Sequence, residues 1–120
     1  MIPKEVKQKL EKLDRMRKCE VCAMPNVEWN HSLIYSRKQL QEVYAIRALC
    51  VRHHRGNNGT IDREADLVNK INAISEGLKH LKANYPKCDW EQELIRYKRE
   101  LSDLKEKQME TLRAKLNGYI

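Results

Sequence analysis

Four side chains in two close pairs carry the strongest chemical signal in this chain. Cys19-Glu20-Val21-Cys22 is a C-x-x-C pair, and Cys50-Val51-Arg52-His53 is a C-x-x-H pair. Two intervening residues let a tight turn aim both side chains at one point. Two such pairs, brought together, form the tetrahedral sulfur and nitrogen set that zinc prefers. Cys19, Cys22 and Cys50 supply three ligands. The fourth is His53 or, through C-x3-H spacing, the adjoining His54. A redox role for the C-x-x-C pair wants a βαβ pattern around it, and none is present. A disulfide framework wants a secreted chain. The N-terminal run MIPKEVKQKLEKLDRMRK has charge but no apolar core, so no signal peptide is expected there. A structural Zn2+ is the expectation, with Cys88 left as an ordinary thiol.

Once His53 is assigned to zinc, His31 and His54 remain beside the same region. A neutral imidazole takes a proton from water near pH 7. A second imidazole and an amide oxygen, here Asn30, hold a hard divalent cation loosely and leave room for phosphate oxygens. Arg37, Lys38 and Arg55 are close in sequence and of the type that binds phosphate. Together these residues suit hydrolysis of a phosphodiester.

At these residues the sequence resembles the HNH, or ββα-metal, nuclease family in its zinc-bearing branch. The stretches VEWNHSLIYSRKQL and IRALCVRHHR look most like small phage-type members, and the likeness covers about residues 19–55. The resemblance implies that Asn30-His31 occupies the place of the metal-ligand and general-base pair. It implies that His53 completes the zinc and His54 binds the catalytic Mg2+ or Mn2+. It also implies a DNA endonuclease working by a one-metal mechanism and leaving a 5′-phosphate. Two positions depart from the pattern. Ala45 stands where the family's middle Asn usually sits, and Asn30 replaces an acidic residue or histidine, so the catalytic metal should be held more weakly. A dimeric resolvase of branched DNA, within the same superfamily, is an alternative. A non-catalytic zinc module that binds nucleic acid or a protein is another.

The elements that must position these groups follow from pattern. Val6, Leu10, Leu13 and Met16 place a short basic amphipathic helix over 3–17. Val27–His31 alternates as a strand, and residues 45–49 form a second strand leading into Cys50. Ser36 with Gln39 has the form of a capping box, which predicts a helix over 37–44. Gly56-Asn57-Asn58-Gly59 is a loop. Leu67, Ile71, Ile74, Leu78, Leu81 and Tyr85 then step by 4, 3, 4, 3 and 4, a helical seam ended by Pro86. Asp89 with Gln92 opens a second helix along Trp90, Leu94, Tyr97, Leu101 and Leu104. The phase slips before Met109, Leu112 and Leu116, which suggests a change of partner. The expected fold is α+β and mostly helical: a zinc-stapled ββα-metal, HNH-like module over 1–60, then a long antiparallel helical hairpin over 61–120. Surplus apolar surface from Trp90 to Leu116 predicts a homodimer through the C-terminal helices.

Composition bounds the rest. The 120 residues make one domain's worth of chain, with 34% charged residues, 6% aromatics and no Phe. So small a core wants a staple such as a metal or a partner chain, and a large enzyme with a deep pocket is excluded. No run approaches the ~18 apolar residues of a membrane span, so no membrane partner is expected; a cytoplasmic location of phage or bacterial type is what the resemblance implies. Residues 1–60 carry 12 Lys and Arg against 6 Asp and Glu, whereas residues 61–120 carry 12 against 11. The excess lies with the cysteines and points to a polyanion partner at that end or to a solvated basic surface with none; the resemblance implies that the polyanion is DNA.

Overall fold

The computed structural model describes residues 2–56 and 58–118, so Asn57 of the expected loop lies outside the described residues. The chain opens with helix α1 (Lys4–Glu11), which follows directly on Pro3. The helix expected over 3–17 is thus shorter. Leu13 is extended (φ −88°, ψ 127°), and Asp14–Met16 adds only one 3-10 turn. The break does not scatter the apolar set. Leu10 and Met16 are buried against Ile46 and Ala48, with Val6, Leu13 and Trp29 packed on them.

Strand β1 is Val27–His31, as the alternation predicts. Between it and the next long strand the expected helix over 37–44 does not form. A small hairpin stands there instead, built from β2 (Ile34–Tyr35) and β3 (Lys38–Gln39). Ser36 and Arg37 are both left-handed, at φ 50° and 67°. Two left-handed central residues make the tight turn whose twist matches paired strands, and no helix admits them. Leu33 and Leu40 flank the hairpin, joined by a bond from Leu40 N to Leu33 O (3.0 Å), and both side chains are buried. A 3-10 turn at Val43–Ala45 leads into β4 (Ile46–Cys50).

β4 runs antiparallel to β1, with Val27 opposite Cys50 and His31 opposite Ile46. The chain passes straight from Cys50 into helix α2 (Val51–Arg55). Gly56 closes that helix at φ 59°, where an added Cβ would meet the Thr60 carbonyl oxygen at 2.2 Å, so only glycine fits. Helix α3 (Arg63–Asn84) starts on Asp62, whose carboxylate accepts from Ala65 N at 3.1 Å. Helix α4 (Trp90–Asn117) starts on Asp89, which accepts from Gln92 N at 3.1 Å, as the capping pattern predicts. The two helices form the expected antiparallel pair. Among the described residues, no helix is long and apolar enough to cross a membrane.

The two halves share one core. Leu33, Leu40, Tyr44 and Ala45 of the first half pack with Ala73, Ile74, Leu81 and Trp90 of the second. Gly77 lets α3 pack directly on Tyr44: a Cβ there would stand 2.3 Å from Tyr44 Cδ1. Deeper still, Arg47 on β4 reaches Glu20 (Nε to Oε2 3.0 Å), Asn69 of α3 donates to Glu20 Oε1 (2.8 Å), and Asn30 of β1 donates to Asn69 Oδ1 (2.8 Å). That chain of polar groups ties the segment of Cys19 and Cys22, the strands and α3 together. Arg63, at the start of α3, pairs with Glu100, and beyond Leu104 every described side chain of α4 is exposed. The last turns of α4 therefore project past α3, and the molecule extends 58 × 33 × 24 Å.

Candidate metal centre and adjoining histidines

The C-x-x-C pair sits in a knuckle fixed by backbone bonds. Ala23 N reaches Cys19 O and Cys19 N reaches Met24 O, both at 2.8 Å, while Ala23 and Asn26 take left-handed φ of 62°. Glu20 N donates to Ala48 O (3.0 Å), which sets the knuckle against β4. The second pair spans the junction of β4 and α2. The five-residue helix turns His53 back toward Cys50, and its Nδ1 stands 3.2 Å from Cys50 Sγ and 3.5 Å from Cys19 Sγ. Cys22 Sγ and Cys50 Sγ are 3.8 Å apart, and the ligand atoms of Cys19, Cys22, Cys50 and His53 all lie within 4.8 Å of one another.

Those spacings fit a metal ion. Tetrahedral zinc, with Zn–S and Zn–N lengths of about 2.3 and 2.05 Å, separates two sulfurs by about 3.8 Å and a sulfur from a nitrogen by about 3.6 Å. Burial opposes the thiolate of Cys19, but backbone N–H groups at Cys50, Cys22 and Val21 outweigh it and bring the thiol down to about 6. A Cys3His set with a ready thiolate can hold a metal such as zinc. The structure also decides between the two candidate histidines: His53 joins the cysteines and His54 does not.

His54 turns instead onto β1. Its Nδ1 lies 2.9 Å from Glu28 Oε1, and Arg55 pairs with the same carboxylate through Nε (3.0 Å) and Nη2. His54 and Arg55 together hold the Glu28 carboxyl below its ordinary value. Glu28 escaped the sequence reading because nothing in its spacing marks it. The alternation of β1 was the available signal, since it puts Glu28 and Asn30 on one side of the strand.

The remaining predicted groups have separate partners. Asn30 shares a strand face with Glu28, but its amide is engaged with Asn69. His31, one position further, leaves the strand on the other side, and its Nε2 meets Gln41 Oε1 at 3.0 Å. The structure therefore sets Asn30 on the same strand face as Glu28, the carboxylate that holds His54, but does not join His31 to either Asn30 or His54. For a hard cation, the charged donor beside His54 is Glu28. Arg37 and Lys38 lie exposed at the tip of the small hairpin, while Arg55 is occupied by Glu28. A cavity of about 530 Å³ beside the cluster is lined by Met24, Pro25, Val51 and Arg52 among others, and includes none of Asn30, His31 or His54.

No protein-family model matches this chain, and no curated protein or solved structure matches it either.

Proposed function

We propose that the metal-stapled module is the working part of a DNA phosphodiesterase of HNH type. One observation carries the reading. Two antiparallel strands pair, the second runs straight into a short helix, the cysteine and histidine cluster clamps that junction, and an adjacent imidazole is held against a carboxylate on the strand face. A bound divalent cation there would neutralise charge on the phosphate oxygens. The resemblance assigns His31 the proton from water; its ring leaves β1 on the side away from Glu28 and His54 and meets Gln41, so this assignment is the part of the reading that the His31 variant decides. The exposed Arg37 and Lys38 supply positive charge for the backbone of the nucleic acid.

Nicking of supercoiled plasmid in Mg2+ or Mn2+ tests the reading. His31→Ala and His54→Ala should each abolish it. Nicking that survives His31→Ala removes His31 as the base.

A second reading is favoured by the engagement of Asn30 with Asn69 and of His31 with Gln41. In it the module binds nucleic acid or a protein without cutting. Binding without Mg2+ or Mn2+, and no cleavage of linear, supercoiled or branched DNA, would select it.

The projecting end of α4 is assigned to a second copy of the chain. Met109 and Leu112 are each 52% exposed and Leu116 61%. Asp103 and Glu106 precede them, and Arg113 and Lys115 lie near the end. Lys105 and Lys107 offset those two carboxylates, so the assignment rests on the exposed apolar stripe and not on charge. Sedimentation at several concentrations distinguishes dimer from monomer, and a monomer would also count against a two-fold resolvase.

A further inference from the structure

We infer that the hard-cation site of the module is formed by Glu28 with His54, not by Asn30 with His54, and that Arg55, which pairs with the same carboxylate, competes with the cation for it. The inference rests on the phosphodiesterase reading for the identity of the cation, and on the geometry for everything else.

The donor spacing is the first observation. Glu28 Oε1 and His54 Nδ1 are 2.9 Å apart. Two neighbouring donors of one octahedral Mg2+ or Mn2+, each near 2.1 Å from the ion, stand about 3 Å apart. This pair of atoms is spaced to share a cation.

The donor types are the second. Mg2+ keeps several waters and is usually bound through one or two carboxylates plus substrate phosphates. Glu28 offers a carboxylate, and its side chain and that of His54 are 26% and 28% exposed. They are therefore within reach of solvent and substrate. Asn30 offers only a neutral amide, and that amide belongs to a polar chain through Asn69, which is fully buried, to Glu20. That chain uses Asn30 Nδ2 and leaves its Oδ1 aside, so the preference for Glu28 rests on its charge and on its contact with His54.

Arg55 is the third. Its side chain is 64% exposed and lies on Glu28. A cation arriving at the carboxylate competes with this guanidinium, and the displaced arginine is then free to take a phosphate oxygen.

The test is titration of the zinc-loaded full chain with Mn2+, read by the loss of the free-ion signal in electron paramagnetic resonance, with circular dichroism as the check on folding. Glu28→Gln should weaken Mn2+ binding about tenfold or more, the range expected when a ligating or ligand-supporting carboxylate is lost. Asn30→Ala should leave it within about twofold of wild type, because that residue is not a ligand. Arg55→Gln should tighten it several-fold, a gain that misfolding cannot imitate. Unchanged binding in Glu28→Gln, loss in Asn30→Ala, or no Mn2+ binding by wild type at millimolar concentration would each overturn the site. Mn2+ binding of the expected pattern without nicking of plasmid would leave the site standing and remove the phosphodiesterase reading. Nicking lost in Glu28→Gln with Mn2+ binding intact would do the reverse.

Discussion

Replacing Arg47 with methionine should cost the zinc-loaded protein about 3–5 kcal/mol, the range for breaking a buried ion pair by removing one partner. The Arg47 and Glu20 side chains are 5% and 10% exposed, and the pair is held at 2.5–3.2 Å by several N–H···O contacts. Methionine keeps an unbranched apolar stem, so little of the loss comes from a cavity. What remains is a Glu20 carboxylate out of water, with Asn69 as its side-chain donor. Glu20→Gln should cost less, about 1.5–3 kcal/mol, the scale of a charged hydrogen bond. Arg47 then keeps Glu76, itself 42% exposed, and the Tyr44 carbonyl at 3.2 Å. The double variant should cost less than the two singles together by about 0.5–3 kcal/mol, because both remove the same interaction. Urea unfolding reads this directly. With a slope near ~2 kcal/mol per molar, Arg47→Met should lower the midpoint by about 2 M. A loss under about 1 kcal/mol, or strict additivity in the double variant, would show that the buried polar chain is not what joins the knuckle to β4 and α3.

Stripping the metal should disorder the knuckle and the β4–α2 junction and loosen the core shared with α3, while far-UV circular dichroism keeps much of its helical signal from α3 and α4. One zinc per chain by elemental analysis, lost in Cys22→Ser, checks the stoichiometry. Gly77→Ala gains about 1 kcal/mol of helix propensity. It should still lower the melting temperature, because its Cβ would stand 2.3 Å from the Tyr44 ring and overpacking costs about 1–3 kcal/mol. Alkaline pH should weaken the fold. Burial, with Glu42 as hydrogen-bond acceptor, pushes Tyr85 up to about 12, and burial with Glu93 does the same for Tyr97. A phenol whose folded value lies above its ordinary value near 10 gives stability that is complete below pH 10 and is lost as pH rises toward 12. Urea midpoints at pH 8, 10 and 11.5 should fall in that order.

Much of this protein is legible in one dimension because the signals are local or periodic. The close spacings name the three cysteines and narrow the fourth ligand to two adjoining histidines, since a short turn brings such side chains to one point whatever surrounds it. The 4, 3 steps of α3 and α4 and their aspartate caps depend on helix geometry alone. So does the alternation of Val27–His31 on strand geometry. The misreadings have a different physical source. Ser36 and Gln39 satisfy a capping pattern, but the burial of Leu33 and Leu40 on the shared core favours a hairpin and forces Ser36 and Arg37 into left-handed backbone.

The choice of His53 over His54 as ligand also belonged to the tertiary structure. Both spacings are locally feasible, and the strand-to-helix junction at Cys50 sets which imidazole turns inward. Glu28 comes to lie against His54 only because α2 folds back over β1, across 26 residues of sequence. Asn69 reaches Glu20 across 49. No periodicity encodes such meetings. They arise when hydrophobic burial fixes the packing of α3 on the strands and the polar groups left inside must find one another.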